Sequence, residues 1–431
     1  MISNEEKQEI LSLLHQEVVP AIGCTEPMAV ALCVAKAVEE LRNLLGKERG
    51  YLPEKLSLRL SANILKNAMG VGIPGTGGMI GLPIAIALGA VGGKSCLGLE
   101  VLRDCTEKEL SIAKEYIQGD HIDIKLEEQD PDKLYIHVTA AAEGKSAEAT
   151  IKGSHTNFVE KSSEVSSTPC TEEKSYTDVL KLHKVYEFAT TMPLDEIRFI
   201  LEAKKLNEAA AEEGLRENYG HQLGKTMCSP LGRGIMGESI FAKVLSVTSC
   251  ACDARMAGAK IPVMSNSGSG NQGICATMPV VVFARENHNT EEELIRALTL
   301  SHLTAIYIKQ SLGCLSALCG CVVASTGSSV GITYLMGGNY DQICYSVKNM
   351  IANLTGMICD GAKPSCALKL TTGVSTAVMS AMLAIQNNHV TSAEGIIDDD
   401  VDRSIHNLTS IGSKGMDETD RFVLDIMTHK K

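Results

Sequence analysis

The chain has 431 residues, 44% hydrophobic and 21% charged, enough for a sizeable core shared among one to three domains. Its net charge is −12, it has no basic tract, aromatic residues are 4% and tryptophan is absent. Nucleic-acid binding needs a cationic footprint, and single strands need stacking rings, so that class is excluded.

The N-terminal MISNEEKQEILSLLHQEVV places acids first and sets Ile10, Leu13, Leu14 and Val18 on one helical face. A signal peptide has a basic start and an uninterrupted apolar run. The expectation is a cytoplasmic, reduced protein, whose fifteen cysteines are buried thiols or metal ligands.

Helices are predicted over 4–19 and 27–47. Between them, Ala21-Ile22-Gly23-Cys24-Thr25-Glu26-Pro27 sets Cys24 at a helix start. The positive end of a helix lowers a thiol pKa; the plainer reading is a capping turn with a buried thiol. Lys66-Asn67 follow, placed to clamp a carboxylate or simply to lie at the surface. Next comes Gly70-Val71-Gly72-Ile73-Pro74-Gly75-Thr76-Gly77-Gly78, which cannot be a regular helix. Consecutive N–H groups there can converge on an anion, which makes Gly75, Thr76 and Gly77 candidate substrate-binding residues. Tight packing of turns is the alternative. A helix is predicted from Leu82.

Apolar residues then alternate with polar ones, at Ile122, Ile124 and Leu126 and again at Leu134, Ile136 and Val138, on either side of the turn Asp130-Pro131-Asp132. This period of two predicts antiparallel meanders. His155, in Gly153-Ser154-His155-Thr156-Asn157 after a strand, is a candidate general base or anion donor; an exposed loop histidine is the commoner outcome. The polar stretch 160–175 reads as a linker or exposed loop.

From about 177 the pattern is helical. One helix starts at Pro193-Leu194-Asp195-Glu196 and runs to about Asn218; others are predicted over 233–258, 291–311, 320–336, 341–357 and 372–387. The fold class is therefore α+β. Residues 1–175 form a small mixed α/β lobe with antiparallel strands, and 176–431 form a large, mainly helical lobe carrying the cysteine motifs. Within the second lobe, Ser265 to Gly273 contains a G-x-G-x-x-G pattern, but without alternating βα flanks, and ICATMPVVVFA after it is no obvious amphipathic helix. A backbone nest for a small carboxylate, built from Ser267, Gly268, Ser269, Gly270 and Asn271, is preferred to a nucleotide site. The uncharged stretches 67–93 and 310–340 are long enough to span a bilayer. Their Gly/Ser/Thr/Cys content and the lack of aromatic belts favour buried helices of an enzyme, with a broken-helix transporter as the rival.

Cys319, Cys321, Cys359 and Cys366 carry the chemistry. Three thiolates from separated segments can hold three corners of an iron–sulfur cube and leave one iron open as a Lewis acid. No pair has Cys-x-x-Cys spacing, so buried core cysteines compete with this reading. Asp360-Gly361-Ala362-Lys363-Pro364, between Cys359 and Cys366, makes a polar loop. Its cation, Lys363, suits contact with cluster sulfides or a carboxylate. No Ser–His–Asp arrangement, Walker lysine or HExxH is evident.

AIGCTEP, NAMGVGIPGTG, GSHTN, SGSGNQGI and CGC…NMIANLTGMICDGAKPSCALK together resemble the L-cysteine desulfidase family, which is related to the α region of iron–sulfur L-serine dehydratases. The resemblance covers nearly the whole chain. It implies a [4Fe–4S] cluster and β-elimination without pyridoxal phosphate, from a small amino-acid substrate, cysteine before serine. The products are pyruvate, ammonium and, from cysteine, sulfide. The implied ligands are Cys319, Cys359 and Cys366. Cys321 competes for the first position. Cys24 competes for the third, because serine dehydratases place that ligand farther beyond Cys-Asp, and the C-terminal cysteine some of them use is missing here. The implied catalytic residues are Cys24 as first base, His155 as second, and Lys363. No nucleic-acid or membrane partner is expected, and a homo-oligomer is left open.

Overall fold

The computed structural model describes residues 2–127, 134–159, 180–313 and 316–429. The turn expected at 130–132 and the linker expected at 160–175 lie outside the described residues. The chain is α+β and predominantly helical. Helix starts follow side-chain chemistry. Ser3, Thr106, Thr290 and Asn339 each close a reciprocal capping box, with Glu6, Glu109, Glu293 and Gln342.

The described residues form six strands: β1 Pro20–Ile22, β2 Lys55–Leu60, β3 Ile122–Leu126, β4 Tyr135–Ala142, β5 Lys145–Lys152 and β6 Pro262–Met264. Four make a sheet in the order β3-β2-β4-β5. The pairs β2–β4 and β4–β5 are antiparallel, the latter closed by Glu143 and Gly144 at φ 51° and 72°, the left-handed pair that a two-residue hairpin wants. The expected meander is corrected at one edge: β2 and β3 run parallel, Leu56 opposite Ile122. A long helical crossover joins them, as parallel pairing requires. Ile136, Val138, Ala140 and Ala142 point inward from β4 against the helix Thr25–Leu45. That helix is buried along most of its length, between the sheet and the helix Leu82–Val91.

The second core is a helical bundle of Ile240–Met256, Gly270–Glu286, Glu291–Leu312, Gly320–Leu335, Tyr340–Leu354 and Cys366–Ile385. The Gly270–Glu286 helix corrects the sequence expectation. It is buried on nearly every side, so it has no polar face to reveal it, and it carries Pro279 inside. The uncharged Gly320–Leu335 helix is explained by close packing. A Cβ on Gly327 would lie 2.3 Å from the Ser301 carbonyl oxygen, and one on Gly331 2.9 Å from that of Ala297. The predicted 233–258 helix is split at Gly237, φ 70°. Among the described residues Cys366–Ile385 is the helix long and apolar enough to cross a membrane, and half of that window is buried inside the molecule.

The two cores exchange chain ends. Ile10, Leu13, Leu14 and Val18 from the N-terminus pack into the bundle, and β1 pairs antiparallel with β6. Leu424, from the last helix, Asp417–Thr428, packs into the core under the four-stranded sheet.

Candidate functional site

Cys319 caps the helix Gly320–Leu335, Cys366 begins Cys366–Ile385, and Cys24 caps Thr25–Leu45. A single antiparallel bridge, Leu318 opposite Ile358, ties the Cys319 and Cys359 segments together. The Cys319 thiol is driven well up by burial and then by the charges that Cys321, Cys359 and Cys366 would carry. The Cys366 thiol is raised by burial, and Cys359 again adds to it. Cys319, Cys359 and Cys366 are thus electrostatic neighbours. Cys321 acts on Cys319 more strongly than either of the other two, but its thiol is also engaged within the bundle. It interacts with Cys275, and its Sγ donates to the Lys369 carbonyl at 3.0 Å inside the bundle. Among the described residues no three His, Cys, Asp or Glu side chains close around a single metal ion.

The loop between Cys359 and Cys366 is held internally. Burial opposes ionisation of Asp360, but Lys363 at 2.5 Å and Lys369 outweigh it and bring the carboxyl down to about 2. Lys363 Nζ also donates to the carbonyls of Asp360 at 2.8 Å and Gly361 at 3.3 Å, so it is turned onto its own loop. Lys369 Nζ reaches the Ile358 carbonyl at 2.8 Å. Gly361, at φ 88°, presses on the helix Ala62–Ala68; a Cβ there would lie 2.3 Å from the Lys66 carbonyl oxygen.

Cys24 corrects an expectation. Its helix end was to lower the thiol pKa, yet burial dominates and pushes it up to about 12, with Arg255 only partly opposing. A fully buried thiolate loses its water, and one helix end does not compensate. Arg255 bridges this corner to the bundle, donating to the Gly23 carbonyl at 2.8 Å and to Asn271 Oδ1 at 2.9 Å. His155 lies near Glu26, beside Cys24. Burial lowers its pKa, the Glu26 carboxylate opposing, and its Nε2 is buried without a hydrogen-bond partner among the described residues.

Gly75 and Gly77 line an open cleft of about 580 Å³, together with Tyr219, His221, Lys260 and Pro364. Pro364 belongs to the cysteine loop, so cleft and cysteines adjoin. Thr76 does not face the cleft as a free donor: its Oγ1 donates to the Ile73 carbonyl at 2.7 Å and accepts from the Met79 amide at 3.1 Å. Tyr219, His221 and Lys260 were missed by sequence reasoning. They belong to no motif, and only the fold brings them to the glycine loop.

The second nest is largely spent within the protein. Ser267 and Gly268 have φ of 49° and 73°. The Ser267 amide donates to the Glu17 carbonyl at 3.0 Å and the Ser269 amide to the Asn266 carbonyl at 3.0 Å. Ser269 caps the helix Gly270–Glu286, and Gly270 lies under Arg255, whose Nε would be 2.2 Å from a Cβ. Asn271, through Arg255, is the member linked to the Cys24 corner.

Residues 97–425 match the family described as serine dehydratase alpha chain. The chain belongs to that family. It is also similar over its full length to UPF0597 proteins of Phocaeicola vulgatus and Bacteroides fragilis. Each is 63% identical, with 100% of both chains covered. A UPF0597 protein of Shewanella halifaxensis is 45% identical over 97% of this chain and 98% of its own. As a serine dehydratase-like protein, the chain is of lyase type. The matched region includes Cys319, Cys359 and Cys366, whereas Cys24 and the glycine-rich loop precede it.

Proposed function

We propose that the chain is a cytoplasmic iron–sulfur lyase that eliminates the β-substituent of a small amino acid, L-cysteine ahead of L-serine, to give pyruvate and ammonium. The observation that carries this reading is the backbone bridge that sets Cys319 beside Cys359, with Cys366 as electrostatic neighbour, next to an open cleft. The donor set fits a [4Fe–4S] cluster. It is all sulfur, with Lys363 and Lys369 close by to balance anionic charge. Cys319, Cys359 and Cys366 would hold the cluster, which when bound supplies an open Lewis-acid iron for the leaving sulfur or oxygen.

The chain's own residues divide the rest of the task. The glycine loop at Gly75 and Gly77 admits and orients the amino acid along the cleft. His155, kept neutral by burial and with Nε2 free, takes the α-proton. Cys24, held protonated by burial, serves as proton donor rather than base. The aminoacrylate product then tautomerises and hydrolyses to pyruvate and ammonium. Thiolate leaves more readily than hydroxide and is the softer ligand, which favours cysteine.

The test is anaerobic purification with iron and sulfide analysis, followed by pyruvate and sulfide assays on both amino acids. A cubane's iron content with pyruvate from L-cysteine supports the reading. Pyruvate from L-serine alone moves the assignment to a dehydratase, and a metal-free, inactive protein after reconstitution removes it.

A further inference from the structure

Lys66 is 2% exposed, on the helix Ala62–Ala68. Its one hydrogen-bond or ion-pair partner among the described residues is Asp420, 354 positions along the chain. A buried ammonium is costly without an anion beside it. Here the anion is delivered by a lightly held element. The helix Asp417–Thr428 buries only Leu424, leaves Phe422 67% and Ile426 50% exposed, and follows the wide turn Ile411–Gly415.

The surroundings of Lys66 belong to the site. Gly361, between Cys359 and Cys366, is close enough that a Cβ would lie 3.5 Å from the Lys66 Cγ. Three residues before Lys66 stands Asn63, 8% exposed, whose Oδ1 has no hydrogen-bond partner among the described residues. Residues three apart on a helix are neighbours on one face. A buried cation and a bare acceptor on one helix face match the carboxylate and ammonium of a free amino acid.

We propose that Lys66 receives the α-carboxylate of the substrate, that Asn63 Oδ1 accepts from its ammonium, and that Asp420 holds the position until the amino acid displaces it with the C-terminal helix. The word substrate rests on the lyase reading; the binding event does not. One carboxylate replaces another, so Lys66 keeps its counter-ion throughout. While Asp420 is in place the receptor is closed, and apparent affinity falls by the fraction open.

The experiment follows amide hydrogen exchange and ligand affinity in the full-length, cluster-loaded protein. The probes are L-alanine, which has no leaving group, and ethylamine, which has no carboxylate. L-Alanine is expected to raise exchange across 417–428 several-fold, and ethylamine to leave it unchanged. Asp420→Asn and Leu424→Ala are both expected to bind L-alanine several-fold tighter than the parent. The first removes the place-holder, and the second loosens its helix without touching the ion pair. L-Alanine should also raise the thermal midpoint of Asp420→Asn by more than that of the parent. Equal affinity in both variants with an unmoved helix overturns the proposal, as does the absence of L-alanine binding to all three proteins. Pyruvate is scored separately. Helix release without pyruvate from L-cysteine or L-serine keeps the receptor and removes the lyase; pyruvate with an unmoved helix and unchanged affinity does the reverse.

Discussion

Cys319 and Cys359 stand on two segments locked together by two backbone hydrogen bonds: the Cys319 amide donates to the Met357 carbonyl at 2.9 Å and the Cys359 amide to the Ala317 carbonyl at 2.6 Å. These bonds flank the Leu318–Ile358 bridge and put both cysteines on the same face of it. Their spacing is therefore set by main chain, not by side-chain packing.

Alanine at Cys319, Cys359 or Cys366 is expected to abolish iron retention after anaerobic reconstitution. Alanine at Cys321, which points to Cys275 and the Lys369 carbonyl, is expected to keep iron within about twofold of the parent and to cost about 1 kcal/mol of stability. Iron analysis and thermal melts of the four variants decide it. Iron loss in Cys321→Ala with retention in Cys319→Ala would exchange the two roles.

Gly361→Ala tests the seating of the loop. The position has φ 88°, and a Cβ would stand 2.3 Å from the Lys66 carbonyl oxygen, where backbone meets backbone. A destabilisation of about 1–3 kcal/mol is expected, together with reduced iron loading as the Cys359–Cys366 loop lifts off its support. Urea unfolding and iron content measure both. A variant with parent-like values for each would show that the loop is not held there.

Much of this architecture was legible in the sequence where a face was half-buried. The period of two at Ile136 and Val138, and the helical face of Ile10, Leu13 and Leu14, survive in the structure. Legibility failed where burial was complete or partners were remote. Gly270–Glu286 has no polar side to set a period, and β2 depends on β3 and β4 far along the chain. At the site, the cysteine motifs were readable because they are local. The pKa of Cys24 was not, since it follows from burial against the core of the helical bundle. Lys260 and His221 are at the cleft only because the 218–221 and 257–260 segments fold beside the glycine loop.

His155 gives a pH signature. Burial lowers its pKa, so the neutral, proton-accepting form persists to lower pH than for an ordinary histidine at about 6.5. The acid limb of kcat/KM should therefore fall below that value. His155→Asn should lose the limb and about 10²–10⁴-fold in rate while keeping its iron. An acid limb above the ordinary histidine value, or one unchanged in the variant, would assign the base elsewhere.

His302 predicts how the bundle responds to acid. The ring is fully buried, with Nδ1 at 3.1 Å from Asn266 Nδ2 and Nε2 at 3.0 Å from Thr277 Oγ1. Burial lowers its pKa to about 3. An unfolded histidine titrates at about 6.5. Between these values the unfolded chain binds a proton that the folded chain refuses, so stability falls as pH falls. The contribution is complete above about pH 6.5 and drains at up to about 1.4 kcal/mol per pH unit below it. His302→Gln should cost about 1–3 kcal/mol at pH 7, because Asn266 Nδ2 and Thr277 Oγ1 each lose the imidazole hydrogen bond and keep only their bonds to the residue 302 carbonyl and to Gly273 and Asn207. It should also flatten the acid slope, because glutamine takes up no proton on unfolding. Urea midpoints measured from pH 7.5 to 4.5 should therefore converge for parent and variant as pH drops. Two parallel lines would mean that the acid sensitivity of the fold resides in groups other than His302.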